Sequence, residues 1–233
     1  MAMIEELEKR LGLLEAESAV RKLQYAYGYY LDKCLYNEVV DLYTDDGECK
    51  FMGAIYRGKP SLRRLYLDRF GQGFTKGTNR NVHGFLLDHA VMQFIVDVAP
   101  DGNSAKIRGR TMMQCGTHES VAQGRAAQGN PIRQWWEGGI YENSYRKDGG
   151  IWKIWKLHYY PVFHADYESG WAHTRDPYLA PFSADPKDLY PNNPAGPDEV
   201  DTSVRIWPHT DIVPFHYVHP VTGKVWTPPE RLP

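Results

Sequence analysis

Apolar and polar residues follow two different periods along this chain. From residue 3 to 31 the apolar positions Leu7, Leu11, Leu14, Val20, Leu23, Tyr27 and Leu31 recur mostly at intervals of three or four, which predicts one helix or a broken pair. Asn37 suits the N-cap of a short helix ending near Asp45, followed by a turn at Asp45-Asp46-Gly47. Residues 48–58 have the texture of a short hairpin, and Lys59-Pro60 opens a further helix over Ser61 to Phe70. After Gly77 the period drops to two. Residues 82–98 then read as a long strand, Pro100-Asp101-Gly102-Asn103 as a turn, and 104–118 as the antiparallel partner. In that partner Lys106, Arg108 and Arg110 share one parity, while Ala105, Ile107, Thr111, Met113 and Cys115 share the other, so one face is wet and one is covered. A loop over 119–131 leads into a second long hairpin, 134–147 and 151–163, joined by Asp148-Gly149-Gly150.

From His164 the texture changes. Twelve of the 16 prolines lie in residues 164–233, without sustained periodicity. The stretch still carries Trp171, Tyr178, Phe182, Tyr190, Trp207, Phe215, Tyr217 and Trp226, far more apolar bulk than a free linker needs. The expected organisation is an α+β domain over residues 1–163 and, over 164–233, an ordered Pro-rich arm lying on that domain or on a neighbouring subunit.

The chain has 233 residues and a formal net charge of -2, with its basic residues scattered. That leaves no electrostatic footprint for nucleic acid or an anionic membrane. Cys34, Cys49 and Cys115 are odd in number and lack metal-site spacing, and the first twenty residues are charged; the expectation is a reduced, cytoplasmic protein. The excess is aromatic: 16 Tyr, 7 Trp and 8 Phe. Such side chains suit a pocket for a flat aromatic ligand, and equally a core or an oligomer interface.

Helices, a short hairpin, another helix and two long hairpins follow the order of a cone-shaped α+β fold. Three blocks carry a more specific likeness: YYLDKCLYNEVVDLYTDDG at 29–47, VHG at 82–84 and GIYENSYRKDGGIWKI at 139–154. In these blocks the chain resembles the nuclear transport factor two-like superfamily, and within it the SnoaL-like group that includes scytalone dehydratase and bile acid 7-alpha-dehydratases, over roughly residues 12–163. Its length and aromatic load also resemble bacterial gamma-formaldehyde lyases of lignin-derived diarylpropanes. The resemblance implies a curved antiparallel sheet wrapped around N-terminal helices, a deep cavity between them, and a cofactor-independent dehydratase or carbon-carbon lyase. It also implies a site in which a Tyr and an Asp five residues apart at a helix end meet a strand His; Tyr27, Asp32 and His83 occupy those places. Five helical residues span about 140 degrees, so the first two share a cavity only if the helix stops near Asp32.

The chemistry fits those residue types. Imidazole is the unperturbed side chain able to accept a proton near neutrality, a carboxylate on its far nitrogen fixes the tautomer, and a phenol can donate to a developing oxyanion. Taken alone, His83 reads as a strand-end histidine, Asp32 as a helix-end residue and Tyr27 as a core aromatic. With His83 inward, Phe85, Leu87, His89 and Val91 share its parity, His89 reading as structural. Substrate contacts are expected from Phe85, Met113, Tyr141 and Asn143, with Lys156 or His158 as a second polar group. Trp155, Leu157 and Tyr159 are expected on the opposite face, buried in a homodimer or homotrimer. His209 and the HYVH run at 216–219 lack an acidic companion for a metal site, so neither metal nor cofactor is expected. Other readings of the same fold are a structural subunit of the ring-hydroxylating dioxygenase beta type and a carrier for an aromatic ligand.

Overall fold

The computed structural model describes residues 1–121, 134–173, 196–209 and 211–228. Its elements run α1 (Ala2–Asp32), α2 (Tyr36–Asp41), β1 (Tyr43–Phe51), β2 (Ala54–Arg57), α3 (Gly58–Arg63), a π-helical stretch (Arg64–Gly71), α4 (Gln72–Thr75), β3 (Phe85–Val98), β4 (Ser104–Thr117), β5 (Gln134–Asp148), β6 (Ile151–Asp166), α5 (Gly170–His173) and β7 (Glu199–Val200). The strands form one curved, open sheet in the order β3-β4-β5-β6-β1-β2-β7. The long hairpins fall where the period-two pattern put them. The sheet is mixed rather than antiparallel throughout, because β1 runs parallel to β6.

Helix α1 is continuous. Its buried face is Ala16, Val20, Gln24, Tyr27, Leu31 and Asp32, whereas Leu7, Leu11 and Leu14 are more than half exposed. The helix stops at Asp32, and Cys34, at φ 55, reverses the chain. Helix α2 then starts at Tyr36 without a side-chain cap, so Asn37 lies inside it, and it ends at Asp41 rather than near Asp45. The expected Asp45-Asp46-Gly47 turn is part of β1, where the pairing with β6 slips between Tyr43 and Glu48. The fully buried Tyr43 accounts for this: it is drawn into the sheet opposite Ile154, whose amide donates to the Leu42 carbonyl at 2.9 Å.

Two irregularities change which residues face the core. In β3 the register shifts between Met92 and Phe94, with Gln93 at φ 42. In β6 a shift opposite Ser144 and Tyr145 turns Ile154, Leu157 and Tyr159 onto the buried face. A strict alternation pairs Leu157 and Tyr159 with Trp155 on the outer face; the bulge inserts one residue and swings both inward. The apolar patch expected to meet another subunit is therefore reduced to Trp155, which packs beneath Arg146 and Lys156.

The arm lies along the sheet. Its β7 pairs with β2, Lys50 donates to Asp201 at 2.5 Å, and Asp198 binds Arg64 and the Arg57 amide. Further on, His216 sits between Glu142 (2.7 Å) and Asp97 (2.9 Å), and the Arg108 guanidinium stacks 4.3 Å from the Phe215 ring centroid. No helix among the described residues is long and apolar enough to cross a membrane.

Asn143 ties the helix to the sheet. Its amide nitrogen donates to Gln24 Oε1 at 3.0 Å, and its oxygen accepts the His158 amide at 2.9 Å. Removing it strands buried partners, each at a desolvation cost of roughly 1–3 kcal/mol. Asn143→Ala should therefore destabilise the fold by about 2–3 kcal/mol in chemical denaturation; a loss below roughly 0.5 kcal/mol would show that water replaces the amide without penalty.

Candidate active site

The end of α1 meets the edge of the sheet. Among the described residues strand β3 pairs only with β4, which leaves the amide groups on its other side without a ladder partner there. One of them, His89 N, donates to Asp32 Oδ2 at 3.0 Å, and Asp32 Oδ1 lies 2.6 Å from His89 Nδ1. One carboxylate thus caps both the backbone and the ring of the same residue. Both side chains are about nine-tenths buried. With Nδ1 committed to Asp32, Nε2 is the ring nitrogen left for another partner, and His89 helps to line the adjoining cavity.

The histidine beside Asp32 is accordingly His89, not His83. His83 is exposed and lies in the turn before β3. Gly84 takes φ 75, and the Phe85 amide donates back to the Val82 carbonyl at 3.2 Å. The tight turn breaks the parity that was to carry His83 inward. Parity holds from Phe85 onward, and it is His89 that the strand delivers to the helix end.

Tyr27 is buried, and its hydroxyl lies 3.1 Å from that of Tyr66, which in turn lies 2.8 Å from Tyr43 Oη and 3.6 Å from Cys49 Sγ. Burial pushes the Tyr27, Tyr43 and Tyr66 hydroxyls well above the ordinary phenol range, and each other's proximity adds to it for Tyr27 and Tyr43. The cavity is walled by Tyr27, Tyr66, Tyr141, Tyr159, Phe51 and Phe70, with His89 at its polar side. Its free space is only about 30 Å³, room for one or two waters. A deep cavity was expected; here aromatic side chains fill it, Phe51 stacking on Tyr159 at 6.0 Å and meeting Phe70 edge-on at 5.5 Å.

Of the other expected contacts, Tyr141 lines the cavity. Phe85 instead stacks on Phe74 at 5.1 Å, and Asn143 is consumed by its bonds to Gln24 and His158. Lys156 and His158 are turned outward by the β6 bulge. His158 Nε2 lies 2.6 Å from Glu48 Oε1, and burial holds its imidazole below the usual histidine range despite that carboxylate. Among the described residues no group of three or more His, Cys, Asp or Glu could hold a metal ion.

One functional group escaped the sequence reading. Glu137, only 1% exposed, shares the inward parity of Tyr141 and Tyr145 on β5. Strand pairing sets it in one row with His89 and Met113: His89 opposes Met113, and Met113 opposes Glu137. Met113, expected at the substrate, is the buried spacer between them. Burial raises the Glu137 carboxyl to about 8, the neighbouring Tyr159 only partly opposing this. Tyr159 reaches toward it across Gly139, where a Cβ would come within 2.3 Å of the ring and hydroxyl. Neither Glu137 Oε2 nor the Tyr159 hydroxyl closes a hydrogen bond of normal geometry.

Comparison with known proteins agrees with this architecture. The SnoaL-like domain family matches residues 13–158. Hexachlorocyclohexane dehydrochlorinase LinA-type3 from Novosphingobium barchaimii is similar in structure, at 16% identity and a TM-score of 0.52, covering 67% of this chain and 93% of that one. LinA gives 14% identity and a TM-score of 0.53 over 68% and 93%. A scytalone dehydratase-like protein from Novosphingobium aromaticivorans gives 17% and 0.48 over 72% and 92%. No curated protein matches the chain.

The buried carboxyl has a measurable signature. With its pKa raised from 4.5 to about 8, folded Glu137 holds a proton that the unfolded chain releases. Its neutral form costs nothing below pH 4.5, and stability is lost progressively as pH rises from there to about 8, by on the order of 5 kcal/mol over the whole window. Glu137→Gln should therefore gain stability relative to wild type as pH goes from 5 to about 8, read as a growing difference in Tm; a pH-independent difference would contradict the assignment.

Proposed function

Because the chain belongs to the SnoaL-like domain family, we propose that it is a cofactor-independent lyase that works on a hydroxylated aromatic substrate by acid-base elimination. The observation that carries this reading is the His89-Asp32 pair facing an aromatic cavity. Asp32 holds the Nδ1–H tautomer, so Nε2 carries the lone pair that accepts a proton, and the carboxylate then stabilises the imidazolium. Tyr27 polarises an oxygen of the substrate. If Tyr43 donates to Tyr66 and Tyr66 to Tyr27, the Tyr27 proton is free to point at that oxygen, and the chain polarises each hydroxyl in turn.

The finer reading is loss of formaldehyde from a lignin-derived diarylpropane diol. His89 takes the proton of the terminal hydroxymethyl group, the carbon-carbon bond breaks to release formaldehyde, and its electron pair forms the alkene while the benzylic hydroxyl departs as water. The products are a stilbene, formaldehyde and water, with no oxidant required. Simple dehydration uses the same residues on a substrate whose carbon-bound proton is the one removed. Either substrate exceeds about 30 Å³ of free space, so admission requires Phe51 and Phe70 to swing aside. A carrier or a structural subunit with this fold would bind without turnover.

His89→Ala and Asp32→Asn should each reduce turnover by roughly 100-fold or more, whereas His83→Ala should stay within about twofold of wild type, being an exposed turn residue. The assay follows stilbene absorbance together with released formaldehyde. Full activity in His89→Ala, or its loss in His83→Ala, would overturn the assignment.

A further inference from the structure

We propose that Glu137 is the proton source for the leaving oxygen, acting through the Tyr159 hydroxyl. This rests on the lyase reading and adds the half of the reaction that His89 leaves open. An elimination needs a base at one end and an acid at the other; a single imidazole occupied in taking one proton is poorly placed to deliver another at the same moment.

The geometry supplies the second group. Glu137 is buried on the concave face, two strands from His89 and in the same cross-sheet row. Its Oε2 makes no hydrogen bond, and neither does the Tyr159 hydroxyl beside it. Tyr159 is the member of this pair that lines the cavity shared with His89. Gly139 is what allows the arrangement: any side chain there would collide with the Tyr159 ring and hydroxyl at 2.3 Å. A buried carboxyl with an oxygen that closes no hydrogen bond is costly, and one placed behind a cavity-lining hydroxyl can act there.

Burial favours the neutral form of Glu137, and the Tyr159 hydroxyl beside it only partly opposes this. Tyr159 and His164 approach from β6, the latter with Nε2 at 3.7 Å from Oε2; Cys115 faces it from β4 and Tyr141 from its own strand. Cys115, Tyr141 and Tyr159 are themselves held protonated by burial. The step balances as a concerted relay. The Glu137 proton moves to Tyr159 Oη as the Tyr159 proton moves to the leaving oxygen, the carbon-oxygen bond breaks with its electron pair going to that oxygen, and water departs. No phenolate forms. The proton held by His89 returns to Glu137 through solvent when product leaves. Glu137 touches no substrate, so its role is that of a proton reservoir behind Tyr159.

The test uses the full chain and three variants: Glu137→Gln, Tyr159→Phe and His89→Ala. Wild-type kcat should fall as pH rises through about 8, where Glu137 ionises. Glu137→Gln should lower kcat by roughly 100-fold with KM within a few-fold, and should lose that alkaline limb. Tyr159→Phe should lower kcat similarly. An unchanged kcat and alkaline limb in Glu137→Gln, with His89→Ala inactive, would overturn this inference alone. An active His89→Ala would overturn the lyase reading instead. Infrared difference spectra provide a readout independent of turnover. Wild type at pH 7 should show a protonated carboxyl band, absent from Glu137→Gln, that shifts when a hydroxystilbene binds and fails to shift in Tyr159→Phe. No protonated band, or a band indifferent to the ligand, would overturn the relay.

Discussion

The joining of helix to sheet depends on one carboxylate at the end of one helix. Asp32 closes α1 where Cys34 turns the chain, and β3, as the sheet's edge, has amides without strand partners on that side. Asp32 answers both needs by accepting the His89 amide and ring nitrogen together. The interaction holds helix against sheet and engages the imidazole through the same carboxylate. If the helix ran one turn further, or β3 gained another neighbour, the pair would not form.

Around it the cone is built from aromatic rings with polar ends. Their rings supply buried area, and their hydroxyls must then find partners inside. Tyr66 serves Tyr27 and Tyr43 in this way, and Gln24 serves Asn143 and Tyr145. Glu137 Oε2 and the Tyr159 hydroxyl are among the buried polar atoms that close no hydrogen bond, as are Gln24 Nε2, Tyr36 Oη, Thr44 Oγ1 and Trp136 Nε1. Leaving such groups unsatisfied lowers stability. The same crowding of rings explains why the resting cavity is so small.

Much of the architecture could be read in the sequence, because period-two and helical patterns report burial directly. The two long hairpins and the inward parity of β4 were legible. Errors arose where one residue interrupts a period. Gly84 separates His83 from its strand, and the β6 bulge exchanges the faces of Leu157, Tyr159, Lys156 and His158. The parallel pairing of β1 with β6 is a long-range choice that no local pattern encodes. Tyr27 and Asp32 come from the family resemblance, which implies a Tyr and an Asp five residues apart at a helix end. His89 shared the parity expected of His83 and was set aside for its depth in the strand, while Glu137 went unnoticed in an aromatic run although its parity with Tyr141 marked a carboxylate on a covered face.

The central claim is that Asp32 holds His89 as the Nδ1–H tautomer, with Nε2 open to the cavity. Nitrogen-proton correlation spectra of the imidazoles, recorded near neutral pH on wild type and Asp32→Asn, test it most directly. The account predicts that His89 carries its proton on Nδ1, with a strongly deshielded resonance that moves upfield when Asp32 becomes Asn. A proton on Nε2, or a spectrum indifferent to Asp32, would contradict it.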